Sequence, residues 1–354
     1  MALAEGKCLD ELIGITKSDS KEPIPVYKKS GVNIDAGNRF VDAIKPYVKQ
    51  TQNPFVIGDI GGFGGLFSLS ALGDDKHVLV GSVDGVGTKT RVARKFGKYD
   101  TIGQCLINHC VNDILTIGAK PLFALDYFAT HELNVSDHAQ VIKGLTIASK
   151  EHGIPIIGGE TAEMRSIYQK DEFDLAAFVI GVVEKDKMIT GKTIKDGDII
   201  LGLPSTGLHT NGYSIVNTLL DSGRISITDK NRDMFLAVHK SYFKEVYPLL
   251  DLGIIKGMAH ITGGAFDNIL RVVPDGLGVK LKLYSWMIPE VFKIVQDIGG
   301  VSGEEMLKVF NIGIGMVLVI SPENLIYMLR QYGFENFFVI GEVITSEKKE
   351  VTYV

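Results

Sequence analysis

Cysteine, excess charge and long apolar runs are all scarce in this chain of 354 residues. Its three cysteines, Cys8, Cys105 and Cys110, form no CxxC pair, which is typical of a reducing compartment and argues against a structural zinc site. Lys and Arg number 37 against 42 Asp and Glu, and this net charge of −5 argues against a nucleic-acid partner or an anionic membrane surface. Phosphate recognition must therefore be local, through loops, helix ends or metal ions.

The apolar stretches are too short to cross a bilayer, the longest being LAAFVIGVV and GIGMVLVI. Charged residues interrupt the N-terminal segment MALAEGKCLDELIG, so it does not have the apolar centre of a secretory signal. Together with the cysteine content, these features predict a cytoplasmic protein with no membrane partner.

Helical and strand patterns alternate in both halves of the chain, which predicts the α/β class (interleaved α+β) with two αβ domains. A charged, turn-rich stretch at 184–198 separates the two alternations, and the length also favours two domains. We expect an N-terminal extension at 1–25, a first domain at 26–188 and a second at 189–354.

The stretch GSVDGVGTKT, residues 81–90, follows a predicted strand at 77–83 and leads into helical sequence. It is similar to a Walker phosphate loop, but one extra residue stands before Lys89 and Asp84 lies in its middle. A carboxylate is tolerable beside phosphate when a divalent cation such as Mg²⁺ lies between them. The alternative is a plain glycine turn in which Asp84 acts as a cap.

Two further carboxylates are candidates to join Asp84. Asp113 shares the apolar arc of a predicted helix, with His109 at its border, and a buried carboxylate needs a metal, a cation or several donors. Glu160 follows the apolar strand of IPIIGGETAEM (154–164), at an end where α/β sheets place ligands. The alternatives are an internally hydrogen-bonded structural Asp and an ordinary helix start.

Three glycine-containing segments are candidates for ligand contacts. LPSTGLHTNGYS (203–214) places His209 in a loop before a helix, as an acid/base candidate or as a surface residue with no role. AHITGGAF (259–266) repeats this arrangement with His260. GDIGGFGGLFSL (58–69) predicts either a mobile lid over a small ligand or a tightly packed structural loop.

From about Tyr27 to its end, the chain resembles the phosphoribosylformylglycinamidine cyclo-ligase (aminoimidazole ribonucleotide synthetase) family. The resemblance rests on nine stretches in order: YKKSGVNIDAGN, IGGFGG, DGVGTK, DTIGQCLINHCVNDILTIGAKPLFALDYFAT, GGETAEM, STGLHTNGYS, HITGG, SWMIPEVF and FNIGIGM. It implies a C-terminal αβ domain and a homodimer whose N-terminal sheets pair into a shared barrel, with active sites at the subunit and domain junctions.

The activity implied by this resemblance is an ATP-dependent ring closure in purine biosynthesis, with ATP and Mg²⁺ as cofactors. ATP would phosphorylate the formyl oxygen of the small-molecule substrate, formylglycinamidine ribonucleotide, to give an iminophosphate. A nitrogen would then attack that carbon, releasing phosphate and forming 5-aminoimidazole ribonucleotide. Phosphoryl transfer depends mainly on positioning and on neutralising charge, which suits the candidate residues.

The resemblance also implies roles for individual residues. Magnesium would be held by Asp84 and Asp113, with Glu160 as a further ligand. The implied nucleotide contacts are Asp84, Gly85, Gly87, Thr88, Lys89 and Lys45. The implied catalytic residues are His209, Asp113 and Lys89, with His209 either an acid/base or a stabiliser of the iminophosphate. The implied contacts to the ribonucleotide are Gly61, Gly62, Phe63, Gly64 and His260.

The chain departs from the family pattern at a few loop positions. The family usually has glycine at Ala265 and Pro-Gly at Arg165-Ser166, and Pro46 interrupts the helix of Lys45. Formylglycinamidine ribonucleotide synthase and selenophosphate synthetase belong to the same superfamily and are alternatives, as is a non-catalytic nucleotide carrier. A selenophosphate synthetase should carry a reactive cysteine in its glycine-rich loop, whereas Cys8 lies in the extension.

Overall fold

The computed structural model describes residues 26–283, 285–332 and 337–354. The first half contains these elements in order: α1 (Val26–Lys29), α2 (Ile34–Lys49), β1 (Val56–Ile57), β2 (Gly65–Ser68), β3 (His77–Gly85), α3 (Lys89–Phe96), α4 (Asp100–Leu115), β4 (Lys120–Thr130), α5 (Val135–His152), β5 (Ile156–Glu163) and β6 (Phe173–Glu184). The second half continues with β7 (Ile199–Pro204), α6 (Tyr213–Asp221), α7 (Asp229–Phe235), α8 (Phe243–Val246), β8 (Ile255–His260), β9 (Leu277–Leu281), α9 (Glu290–Gly299), α10 (Gly303–Val309), β10 (Ile314–Ile320), α11 (Pro322–Tyr332), β11 (Phe338–Thr345) and β12 (Val351–Tyr353).

The first sheet has the strand order β1-β2-β3-β6-β4-β5 and is antiparallel except for the β4–β5 pair. Helix α4 packs on β3 and β6, so one sheet face is covered by helix and supplies the core. Helix α5 lies against α4, and their backbones meet at Gly103 and Gly144. A Cβ at Gly144 would lie 2.0 Å from the Asp100 carbonyl oxygen, so only glycine allows this crossing.

The second sheet has the order β12-β9-β11-β7-β10-β8, with β12 parallel to β9 and the other pairs antiparallel. Strand β10 is buried along its whole length, which explains its continuous apolar run IGMVLVI. Its neighbour β8 ends at His260, so this strand carries a candidate site residue into the core.

The two sheets confirm a mixed α/β fold with two sheet-containing domains. The strand predicted at 77–83 extends two residues further. After β8, Ala265–Arg271 forms a helix of the tighter 3₁₀ type. Strand β8 was not predicted, since its sequence IKGMAH is short and contains no clear alternation.

The strands of the two sheets lie on either side of the predicted boundary at 188/189. The predicted extension at 1–25, with Cys8, lies outside the described residues. Pro46 lies inside α2 without ending it. Within the described ranges, every helix is too short or too polar to cross a membrane.

Candidate active site between the two sheets

A cleft of about 420 Å³ lies where the glycine-rich loop approaches the end of β3. Its lining includes the four loop residues predicted to contact the ribonucleotide: Gly61, Gly62, Phe63 and Gly64. Two of the three predicted metal ligands, Asp84 and Asp113, line the same cleft, together with Thr262 and Arg271 from the second half of the chain. The structure therefore brings the candidate loop and the carboxylate pair into one site.

The glycine loop is both tightly packed and adjacent to open space. A Cβ on Gly64 would lie 3.0 Å from the Val80 side chain, and Gly61 has a φ of 109°, which favours glycine. The Arg271 guanidinium lies over the Phe63 ring, 5.0 Å from its centroid. The loop conformation thus accounts for glycine at positions 61 and 64, and the loop also lines the cleft.

His109 lies between the two carboxylates. It is one helical turn before Asp113 on α4, and α4 packs against β3, which carries Asp84. The Nε2 atom of His109 is 3.0 Å from Oδ2 of Asp84 and 3.8 Å from Oδ2 of Asp113. Ser82 donates a hydrogen bond of 3.1 Å to Asp113 Oδ2. The carboxylates predicted to share a cation therefore share an imidazole.

The charges at this point strongly affect one another. Burial by itself would lower the pKa of His109, but the Asp84 and Asp113 carboxylates raise that pKa to about 9. Burial would raise the pKa of Asp84, and the charge of His109 overcomes this and lowers that pKa. A proton on His109 thus supplies positive charge between two carboxylates. The donor set of two carboxylates and one imidazole also fits a divalent metal ion.

A chain of buried imidazoles continues from Asp113 into the core. His260 Nδ1 is 2.7 Å from Asp113 Oδ1, so Nδ1 donates and Nε2 accepts. His239 Nε2 then donates to His260 Nε2 at 2.9 Å. The His209 ring stacks on His239, with centroids 3.9 Å apart. Burial lowers the pKa of His209, His239 and His260, so these three imidazoles are neutral.

His209 is not a surface residue, since its exposed fraction is 1%. Its φ of 58° lies in the left-handed region, which is strained for a residue with a side chain. The Thr206 amide donates to its Nε2 at 3.3 Å, and its Nδ1 is buried with no partner among the described residues. The backbone strain and the unpaired nitrogen together mark a constrained position.

Lys89 does not face the cleft. Its fully buried Nζ donates to the carbonyl oxygens of His209 (2.7 Å) and Ala237 (2.9 Å) and lies 3.2 Å from Cys105 Sγ. It also lies 5.0 Å from the centroid of the Tyr213 ring. This placement disagrees with the prediction of a phosphate contact, because carbonyl groups from the second half of the chain already occupy the ammonium. Lys89 joins the two halves at the backbone of His209.

The other predicted nucleotide contacts in GSVDGVGTKT lie in two different parts of the molecule. Gly85 donates its amide to Asp84 Oδ1 at 2.9 Å. Gly87, with φ 51°, and Thr88 line a second cleft of about 290 Å³, together with Arg91 and Arg94 of α3. Asp171, Glu172 and Asp174 line the same cleft, so its arginines, which suit anions, lie among carboxylates that repel them.

Glu160 does not lie near the carboxylate pair. In the register of the first sheet, Asp84 of β3 lines up with Gly159 of β5, and strands β6 and β4 lie between them. Three strand spacings separate these backbones by about 14 Å, and strand side chains project from the sheet. Glu160 therefore cannot share an ion with Asp84 within one chain, which corrects that prediction. Lys45 lies on the surface of α2, where it pairs with Asp42 at 2.9 Å.

Sequence reasoning gave no role to His239, Thr262 or Arg271 and noted His109 only as a border residue. The one local signal was the four-residue spacing of His109 and Asp113, which puts both on one helix face. Nothing local marks the other three, which reach the site through the folding of the second half. Ala265, where the family usually has glycine, has a φ of 48°.

Two family models cover most of the chain. The model described as "AIR synthase related protein, N-terminal domain" matches residues 65–183, and its C-terminal counterpart matches residues 195–354. A phosphoribosylformylglycinamidine cyclo-ligase of Alkaliphilus oremlandii is 44% identical over 92% of this chain and 98% of its own length. The enzyme of that name from Citrifermentans bemidjiense is 47% identical over 91% and 96%, respectively.

A solved structure with the same fold is described as "AaThiL complexed with AMPPCP and TMP". It has a TM-score of 0.60 and 14% sequence identity, over 89% of this chain and 92% of that one. The chain therefore shares its fold with a protein to which it has little sequence similarity. The family models and the two relatives identify the family as well as the fold: the chain belongs to the phosphoribosylformylglycinamidine cyclo-ligase family.

Proposed function

We propose that this chain catalyses the ATP-dependent closure of formylglycinamidine ribonucleotide to 5-aminoimidazole ribonucleotide, with release of ADP and phosphate. The observation that carries the proposal is that Asp84 and Asp113 line one cleft together with the glycine loop. A cation site beside a backbone-lined cleft is what phosphoryl transfer requires. The names of relatives at 44% and 47% identity supply the substrate.

Asp84 and Asp113 are the residues that would hold Mg²⁺, which when bound neutralises the charge on phosphate oxygens. Arg271 lines the same cleft and carries a positive charge toward the ribonucleotide phosphate. The loop from Gly61 to Gly64 offers backbone groups and excludes water from the transferred phosphoryl group. Gly87 and Thr88 bind anionic groups of the nucleotide from the second cleft.

His209 acts on the reacting amide in this proposal. Because its Nε2 accepts the Thr206 amide, Nδ1 carries the hydrogen and can donate a hydrogen bond to the bridging oxygen of the iminophosphate as phosphate leaves with that oxygen. The side chain is almost fully buried, so substrate reaches it only when its surroundings open. Its neutral form suits a hydrogen-bond donor to a developing charge.

The homodimer belongs to the same proposal. Val83 on β3 pairs directly with Phe178 on β6, and both are exposed on the sheet face opposite α4 (56% and 41%). Leu122 and Ile157 on the neighbouring strands are exposed as well. An apolar sheet face of this kind needs a cover, and the same face of a second copy would close the paired sheets into a barrel.

We also place the domains at 26–188 and 189–354 and the protein in the cytoplasm. The two sheets fall within these ranges, and Cys105 and Cys110 are free thiols in the core. Buried thiols without a disulfide suit a reducing compartment.

The deciding experiment incubates the purified protein with MgATP and formylglycinamidine ribonucleotide and measures ADP and aminoimidazole product together. We expect one ADP per product formed, and loss of both with Asp84→Asn. ADP release on another acceptor, without the aminoimidazole, would instead favour another enzyme of the superfamily. Nucleotide binding without ADP release would favour a carrier.

A further inference from the structure

We infer that His109 is a third, nitrogen ligand of the cation held by Asp84 and Asp113, and that it shifts the preference of this site from Mg²⁺ toward a transition-metal dication such as Mn²⁺ or Co²⁺. The inference rests on the proposed cation site and adds to it the ligand that selects the metal. Imidazole nitrogen is a weak partner for Mg²⁺ and a good one for transition metals, whereas carboxylates serve both.

The first support is the spacing of the three atoms. His109 Nε2 lies 3.0 Å from Asp84 Oδ2 and 3.8 Å from Asp113 Oδ2. Two ligands that are each about 2.1 Å from one ion are roughly 3 to 3.5 Å apart. His109 Nε2 therefore lies at or near ligand-to-ligand distance from an oxygen of each carboxylate, and an ion shared by all three requires the two carboxylates to turn toward each other.

The second support is the orientation of the imidazole. His109 Nδ1 lies 3.0 Å from the Thr210 hydroxyl oxygen, which can accept its hydrogen. This bond leaves the lone pair of Nε2 directed at two carboxylate oxygens. Three electron-rich atoms that face one another require a cation between them, which is a proton or a metal ion.

The third support is that the outer oxygens of both carboxylates already have partners. Asp84 Oδ1 accepts the Gly85 amide at 2.9 Å, and Asp113 Oδ1 accepts His260 Nδ1 at 2.7 Å. These bonds turn both Oδ2 atoms toward His109. Ligand carboxylates held by a further layer of donors are typical of built metal sites.

A neighbouring set of three imidazoles is a poorer candidate. Among the described residues, two sets of three side chains have ligand atoms within 4.8 Å of one another: His209, His239 and His260, and His109, Asp113 and His260. The second set shares His109 and Asp113 with the site proposed here, with His260 in place of Asp84. The His209 and His239 rings are stacked with an interplanar angle of 20°, so their in-plane lone pairs run side by side and do not converge. Asp84 and Asp113 also line the cleft, where a bound ion can reach substrate oxygens.

The test uses full-length protein stripped of metal with a chelator. Mn²⁺ and Mg²⁺ affinities are measured by calorimetry, and the Mn²⁺ complex is examined by pulsed EPR for coupling to ¹⁴N. We expect ¹⁴N coupling in the wild type and its loss in His109→Gln, whose amide keeps polarity but offers no nitrogen lone pair. We also expect His109→Gln to weaken Mn²⁺ binding by at least about tenfold and Mg²⁺ binding by less than about threefold.

His239→Gln is the matched control, because it removes a buried imidazole of the same cluster that does not reach the carboxylates. It should keep the ¹⁴N coupling and the Mn²⁺ preference. The inference is overturned by a wild type that binds Mn²⁺ without ¹⁴N coupling, by coupling that persists in His109→Gln, or by equal losses for both metals. A wild type that binds neither metal, like Asp84→Asn, would overturn the proposed cation site itself.

Discussion

His109 shows how one side chain can link two distant residues into a single site. Asp84 and Asp113 are separated by 29 positions, and each by itself has an ordinary structural explanation. The imidazole within reach of both oxygens makes them a pair, since neither carboxylate has another positive group at this distance among the described residues. A local helix spacing thereby turns two separate acidic residues into one site.

His152 provides a pH prediction at the same scale. It donates from Nε2 to Asn108 Oδ1 at 3.0 Å, and Asn108 in turn donates to the carbonyl of His239 at 2.8 Å. Burial, followed by the charge of Lys244, lowers the pKa of His152 to about 4. The folded state therefore favours neutral His152, and its stability is fully present above pH 6.5 and is lost as the pH falls from 6.5 toward 4.

His152→Gln keeps the donor to Asn108 and cannot become charged. We expect this variant to gain roughly 1 to 2 kcal/mol relative to the wild type between pH 7 and pH 4.5, allowing for partial solvent screening. Urea unfolding at several pH values measures the difference. A difference that stays constant over this range would show that the environment of His152 does not disfavour its charge.

At the scale of elements, the site depends on where α4 lies. This helix carries His109 and Asp113, and its position on the sheet is set by the glycine contact with α5. The hydrophobic pattern identifies both helices, but only the absent side chains at Gly103 and Gly144 allow this crossing distance.

Gly144→Ala should therefore destabilise the protein by about 1 to 3 kcal/mol, because the added methyl group would collide with the Asp100 carbonyl. Divalent metal affinity should fall as well, since α4 would shift. Gly37→Ala in α2 is the control, where the new methyl group meets nothing within 4 Å and helix propensity predicts a gain of up to about 1 kcal/mol. Equal urea midpoints for the two variants would contradict this account of the crossing.

At the scale of the whole molecule, Lys89 connects the two sheet-containing halves. Lys89→Met would leave the carbonyl oxygens of His209 and Ala237 without their donor, at a cost of about 1 to 3 kcal/mol. We expect kcat to fall with His209 displaced, while the affinity for an ATP analogue changes by less than about threefold. A turnover assay measures kcat, calorimetry measures the affinity for the ATP analogue, and thermal unfolding measures the stability. A large loss of nucleotide affinity at unchanged stability would restore the phosphate role expected from the sequence.

The exposed sheet face yields a second prediction for the assembly. Phe178→Asp places a charge in the centre of the proposed dimer contact and should give monomers by light scattering. Leu72→Asp is the control, because Leu72 is exposed outside this strand face. A dimer that survives Phe178→Asp would place the subunit contact elsewhere.

Much of this protein can be predicted from the sequence, because helix and strand periods and turn residues act over a few positions. The alternation of elements and the burial of Asp113 follow from such short-range patterns. The roles of Lys89 and Glu160 did not follow, since motif position does not show which way a side chain points or how many strands lie between two residues.

The tertiary structure alone decided which residues meet. His239, Thr262 and Arg271 are far from Asp84 along the chain and carry no local signal, yet the packing of the second half brings Thr262 and Arg271 to the same cleft and His239 to the histidine chain behind it. Sequence patterns determine elements because backbone hydrogen bonding and side-chain spacing are local. The site depends on long-range packing, which is settled only when two sheets, a helix crossing and a buried lysine fit together.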